Sequence, residues 1–164
     1  MRNLRETIAT TTALILLVGC SVLDRSSSNP ACEAVGSTEA SEALRREVHS
    51  EPSPIEGVFF SCDYYLPGPR EVLADLDLYN DDAKRTFQTE RASNADAPEG
   101  TEFRDEDIGV PAYTWMNSEG VLGGALDGDR YYRVDIFIDR YGETPESARE
   151  AAVRLLQTAV EAED

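Results

Sequence analysis

A chain of 164 residues is long enough for one domain with a hydrophobic core, but too short for two ordinary domains. Its charge is one-sided, because 32 aspartates and glutamates face 15 lysines and arginines and give a formal net charge of −17. That field repels phosphates and anionic headgroups, so nucleic acid is excluded as an expected partner. The simplest interpretation of the negative net charge is that it keeps the protein soluble. The more specific alternatives are cation binding and adaptation to a salty environment.

Residues 1–19 have the pattern of a secretory signal peptide. Arg2 and Arg5 make its start basic, and residues 8–18 form an uncharged apolar run. That run is much shorter than the roughly 20 residues that a membrane-spanning helix needs. The pattern therefore predicts export of the chain.

Residues 17–20 read Leu-Val-Gly-Cys and resemble the lipobox of bacterial lipoproteins. The resemblance implies that the thiol of Cys20 accepts a diacylglyceryl group and that cleavage makes Cys20 the first residue. Two acyl chains hold a protein stably on a bilayer, whereas one chain binds marginally. We expect a lipidated flexible tether over residues 20–30 and a location on the extracytoplasmic face of the cell membrane. The alternative is an ordinary signal peptide that contains a cysteine.

The other two cysteines are Cys32 and Cys62, which export would place in an oxidising compartment. We expect a disulfide between them, worth about 3–4 kcal/mol in the chain-entropy account. A metal site is one alternative, but two cysteines and the only histidine, His49, cannot form a closed zinc site. A free catalytic thiol is another alternative, and no partner base is evident for it.

Residues 31–164 are predicted to form a single α+β domain. In chain order the pattern predicts a helix at 37–48, strands at 57–66 and 70–79, a helix at 82–92, a mobile loop at 93–107, strands at 110–117, 120–126 and 130–140, and a helix from 144. Hairpin connections dominate and no βαβ rhythm appears. We therefore expect a mainly antiparallel sheet of about five strands with helices packed on one face.

Alternation along the predicted strands sorts their side chains between two faces. The inward set contains Cys62 and is otherwise apolar. The outward set mixes aromatic and charged residues and forms the candidate ligand surface: Asp63, Tyr65, Asp75, Asp77, Tyr79, Tyr131, Arg133 and Asp135. If helices cover only the inward side, this surface suits a small polar ligand or an envelope protein. The alternative is that a helix or a second layer covers part of it.

No motif in the chain assigns a catalytic residue, a cofactor or a metal site. We therefore predict a membrane-anchored lipoprotein that binds a ligand or partner without catalysis. Asp75 and Asp77 stand two apart on one strand and could meet the separation of about 5–10 Å that glycosidases need. A cell-envelope hydrolase using these paired carboxylates is the alternative.

Several short elements occur together with the lipobox and the serine-rich tether. They are Pro30 with Cys32, Cys62 with Tyr64, Gly109 with Ala112 and Tyr113, and an alanine-rich run over 148–159. The combination resembles actinobacterial secreted lipoproteins of unknown function that carry a paired-cysteine domain. The resemblance implies an anchored domain outside the cytoplasm, and it offers no catalytic residues.

Overall fold

The structure, a computed structural model, describes residues 29–53, 59–68, 70–96 and 99–162. The predicted signal peptide, the lipidation site Cys20 and the tether up to residue 28 lie outside these residues. No helix of the described ranges is long and apolar enough to cross a membrane.

The described chain begins with a capped helix at the end of the segment predicted as tether. The side chain of Asn29 accepts hydrogen bonds from the amides of Ala31 and Cys32 and so caps helix α1 (Pro30–Ala34). Asn29 also donates from its side chain to the carbonyl of Ser61. Asn29, the first described residue, therefore already belongs to the folded part, close to where the tether was predicted to end.

Seven strands of the described ranges form one antiparallel sheet. They are β1 (His49–Pro52), β2 (Phe59–Tyr65), β3 (Val72–Tyr79), β4 (Glu102–Asp107), β5 (Pro111–Met116), β6 (Gly120–Asp127) and β7 (Arg130–Phe137). Their order across the sheet is β1-β2-β3-β7-β6-β5-β4. The α+β class and the antiparallel sheet are confirmed, whereas the predicted count of about five strands is too low by two.

Both additional strands lie at the edges of the sheet. β1 falls where the first helix was predicted to end, because helix α2 (Ser37–Leu44) stops earlier, at Arg45 in the left-handed conformation with φ 53°. β4 falls in the segment predicted as a mobile loop. Each of these two strands pairs with a neighbouring strand on one side only. An edge strand needs few apolar side chains, so the alternating apolar pattern that predicts a strand is weak in both segments.

One face of the sheet, here called the core face, is covered by α1, α2 and α5 (Pro145–Glu161). α5 begins as predicted, with Thr144 accepting a hydrogen bond from the amide of Ser147 and Pro145 in the first turn. It packs closely on β6, where a Cβ at Gly123 would lie 2.9 Å from Leu156. The absence of that Cβ lets α5 approach the sheet.

The predicted disulfide is confirmed. Cys32 of α1 is bonded to Cys62 of β2, and their Cα atoms are 5.1 Å apart. Both residues pack in or against the hydrophobic core of the core face. The bond therefore attaches the first helix directly to the sheet.

Helices pack on both faces, not on one as predicted. Helix α3 (Ala83–Ala95) lies on the face opposite the core face and packs against β5, β6 and β7. The last predicted strand is also shorter than expected. β7 ends at Phe137 because its neighbour β6 begins opposite that residue, and the short helix α4 (Ile138–Tyr141) follows.

Candidate functional site on the polar face

All eight residues of the predicted ligand surface lie on the face opposite the core face, here called the polar face. They come from three neighbouring strands and are brought together by the register, in which Asp63 pairs with Asp75, Asp75 with Asp135, Asp77 with Arg133, and Tyr79 with Tyr131. Directly paired residues project from the same side of a sheet. The register therefore assembles the surface that alternation predicted.

One end of the polar face is an aromatic half, which α3 covers. The sheet contributes Tyr79, Tyr113 and Tyr131 to it, and α3 packs Ala83 and Phe87 against these rings. The ring of Phe87 lies 5.6 Å from the rings of both Tyr113 and Tyr131, centroid to centroid. Tyr131 is fully buried and Tyr79 is 7% exposed. These two members of the predicted ligand surface are therefore covered by a helix.

Hydrogen bonds connect α3 to the aromatic half. The hydroxyl of Tyr131 donates to Oε2 of Glu90 at 2.6 Å and lies 3.1 Å from the hydroxyl of Tyr113. Burial raises the pKa of Tyr113 to about 12, and it raises the pKa of Tyr131 further still. Both phenols are neutral at physiological pH and act here as structural donors and acceptors.

The other end of the polar face is a carboxylate half. Glu51, Asp63, Asp75 and Asp135 are opposed in register and form a row across β1, β2, β3 and β7, here called the carboxylate row. Neighbouring strands are about 4.8 Å apart, so the four carboxylates follow a line. Asp77 lies beside this row. Sequence reasoning missed Glu51, because β1 was not recognised as a strand.

The two ends of the carboxylate row have cationic partners. At one end Arg70 forms an ion pair with Glu51 and stacks over the ring of Tyr65 at 5.2 Å. At the other end, Nη2 of Arg133 lies 2.8 Å from Oδ2 of Asp135.

The middle of the row, Asp63 and Asp75, has no ion pair within the described part of the chain. Asp63 accepts a hydrogen bond from the hydroxyl of Tyr65 at 3.0 Å, whereas no described residue donates one to Asp75. The ends of the row are thus paired with cations, whereas ionised carboxylates at its centre would carry an excess of negative charge.

Burial makes this excess of negative charge costly. Asp63 and Asp77 are 8% and 7% exposed, and Asp75 and Asp135 are partly exposed. Burial raises the pKa of Asp75 well above its ordinary value, and the charges of Asp135 and Asp77 raise it further. Burial also raises the pKa values of Asp77 and Asp135. The centre of the row therefore favours either a proton or an added cation.

Comparisons with known proteins give no relative. No model of a known protein family, no curated protein and no solved structure matches the chain. The resemblance to actinobacterial lipoproteins stays a prediction, and the site is interpreted from its own chemistry.

A shallow cavity of about 200 Å³ extends the carboxylate half past Asp135, with Trp115, Leu122 and Phe137 in its wall. The indole Nε1 of Trp115 is buried without a hydrogen-bond acceptor in the described part of the chain. Sequence reasoning placed Trp115 on a strand without assigning its face. Its alternation with Tyr113 was the signal that could have done so.

The carboxylates form a line and do not surround a point. Within the described ranges, no group of three or more histidine, cysteine, aspartate or glutamate side chains could hold a metal ion. A linear array of this kind is suited to a ligand that carries positive charges along its length. It is also able to bind protons, because adjacent buried carboxylates cannot all ionise cheaply.

Proposed function

We propose that the protein is a lipid-anchored extracytoplasmic lipoprotein whose carboxylate half binds a ligand carrying several ammonium groups, without turning it over. The observation that carries the proposal is the centre of the carboxylate row, where Asp63 and Asp75 face each other and neither forms an ion pair with a described residue. A buried charge without a partner costs free energy, and a bound cation would offset that cost.

The shape of the row supports a linear ligand. Three strand spacings of about 4.8 Å separate Glu51 from Asp135, so the row extends roughly 14 Å. A polyamine places its ammonium groups along a flexible apolar chain and can address several carboxylates in succession. The hydroxyl of Tyr65 donates to Asp63 and so helps to hold that carboxylate in the row.

The binding test uses spermidine as the probe and the lipidated full-length product, solubilised in detergent, as the protein. Isothermal titration calorimetry at low ionic strength should show saturable binding, because exposed electrostatics are screened by salt. The double variant Asp63→Asn/Asp75→Asn should bind at least about tenfold more weakly, since it removes the unpaired charges.

The matched control is Asp107→Asn/Asp129→Asn, which makes the same change in net charge at two exposed positions outside the carboxylate half. It should bind spermidine as the unmodified chain does. Absence of saturable binding to the unmodified chain, or an equal loss in the control, would overturn the proposal.

The anchor is tested separately by mass spectrometry of material from a host that processes lipoproteins. The expected product begins at Cys20 and carries acyl chains, and a Cys20→Ser variant should remain unlipidated and leave the membrane fraction. A chain that retains Met1 and an unmodified Cys20 would contradict the anchoring half of the proposal.

A hydrolase using Asp75 and Asp77 remains the second candidate. It is favoured by the burial of Asp75 beside Asp77 and Asp135, which raises the pKa of Asp75 as a general acid requires. Assays on a panel of glycoside substrates distinguish the two functions. An enzyme would turn over a substrate and lose that turnover in Asp75→Asn/Asp77→Asn, whereas a binding protein would show none in either chain.

A further inference from the structure

The carboxyl groups at the centre of the row are close enough to share protons. Asp75 of β3 lies opposite Asp63 of β2 on one side and opposite Asp135 of β7 on the other. Directly opposed side chains of antiparallel strands have Cβ atoms about 4.5–5.5 Å apart. Two carboxylates that share a site of this kind do not both ionise readily, so one of them tends to keep a proton.

The groups that face Asp75 are mostly acidic. Asp63 faces it from β2, Asp77 from its own strand, and Asp135 and Arg133 from β7. Glu90 of α3 lies next to Arg133, with Oε2 4.0 Å from Nε. Beyond Asp63, Glu51 of β1 is engaged by Arg70.

Among the described residues, one arginine lies near the central acids, and it forms an ion pair with Asp135 and none with Asp75. The guanidinium of Arg133 is 2.8 Å from Asp135. Asp75 is the acid that receives neither an ion pair nor a hydrogen bond from the described residues.

We propose that Asp75 holds a proton at neutral pH in the ligand-free protein, and that a cation bound on the carboxylate row displaces this proton. Burial and the neighbouring charges of Asp135 and Asp77 raise the pKa of Asp75, in agreement with this. In the displacement step the O–H bond of the Asp75 carboxylic acid breaks, its electron pair stays on the carboxylate oxygen, and the proton passes to water. The second half of the proposal rests on the proposed function, whereas the first half does not.

The stored proton is tested without any ligand. Infrared spectroscopy of the ligand-free, full-length protein at pH 7 should show the carbonyl stretch of a protonated carboxylic acid, which is distinct from the bands of carboxylates. Asp75→Asn should abolish this band, and the exposed control Asp107→Asn should keep it. A band absent from the unmodified chain, or unchanged in Asp75→Asn, would overturn the proposal, and the first of these results does not depend on the folding of any variant.

Displacement is tested by calorimetry with spermidine in two buffers of different ionisation enthalpy. The difference in apparent binding enthalpy should correspond to about one proton released per bound spermidine, and affinity should rise about tenfold per pH unit while Asp75 is protonated. Binding without proton release would contradict the coupling between cation binding and deprotonation of Asp75, but it would not contradict the proposed function. Failure of spermidine to bind would sink the proposed function, and the infrared band would still decide whether Asp75 holds a proton.

Discussion

The two halves of the polar face are built on the same strands, but they differ in how the buried polar groups of each half find partners. β3 places Tyr79 in the aromatic half and Asp75 in the carboxylate half, and β7 likewise places Tyr131 and Asp135. In the aromatic half α3 covers the rings, and the buried hydroxyl of Tyr131 has hydrogen-bond partners. In the carboxylate half the buried acids outnumber the partners that surround them.

This difference shows that the residues on a sheet face do not reveal whether that face is exposed to solvent. A period of two residues reports which side chains point the same way, and it contains no information on what packs above them. Helix α3 buries the aromatic half, because the ring of Phe87 packs there against the rings of Tyr113 and Tyr131. The acids of the other half offer a helix no such partners.

The largest effect is expected from the ring that fixes α3 to the sheet. Phe87→Ala should lower the free energy of unfolding by about 3–5 kcal/mol, because Phe87 is 5% exposed and packs between two tyrosine rings. Phe60→Ala is the matched control, since Phe60 is 44% exposed and should cost less than about 1 kcal/mol. Chemical denaturation measures both, and equal losses would show that α3 does not bury the aromatic half.

A smaller effect is expected from the hydroxyl of Tyr131. Tyr131→Phe should cost about 1–3 kcal/mol in urea unfolding, because Glu90 loses its donor and Tyr113 loses its partner. The adjacent residue supplies the control, because Tyr132 points to the core face and its hydroxyl is buried without a partner among the described residues. Tyr132→Phe should be neutral or stabilising, and the reverse order of the two variants would contradict the assignment of faces.

The smallest effect concerns pH and sharpens the contrast between the halves. Burial raises the pKa of Asp75 in the folded state, so the folded protein binds more protons than the unfolded chain. Stability should therefore fall as pH rises from the ordinary aspartate range through the raised pKa. Asp75→Asn should reduce this slope, to which a single group contributes at most about 1.4 kcal/mol per pH unit. Urea unfolding over a series of pH values would refute the expectation if the slope in Asp75→Asn equals that of the unmodified chain.

Parts of the fold could be predicted because local chemistry determines them. The turn at Gly128 joins β6 to β7, Thr144 and Pro145 start α5, and the pairing of Cys32 with Cys62 followed from their number and expected compartment. The edge strands β1 and β4 escaped prediction, since strands paired on one side need little apolar character. The position of α3 also escaped it, because Ala83 and Phe87 are the only buried residues of that helix.

The candidate site was predicted as a set of residues and not as an arrangement. Alternation placed Asp63, Asp75, Asp77 and Asp135 on one face of the sheet, and they lie on one face in the structure. The strand register determines which of these aspartates face each other and which of them forms an ion pair with Arg133. Register depends on long-range strand pairing, which cannot be read from a single sequence. Glu51 entered the row only because β1 pairs with β2.

The bond between Cys32 and Cys62 shortens the mechanical path from the N-terminal segment to the sheet. Tension applied at Asn29 enters α1 and crosses the sulfur atoms into β2, so the intervening loop of residues 33–61, with α2 and β1, is bypassed. Reduction would place that loop in the covalent path between Asn29 and β2. Once α2 and β1 unfolded under load, Asn29 could move away from β2 by up to ~100 Å, so the disulfide limits how far the N-terminal segment can be pulled from the sheet.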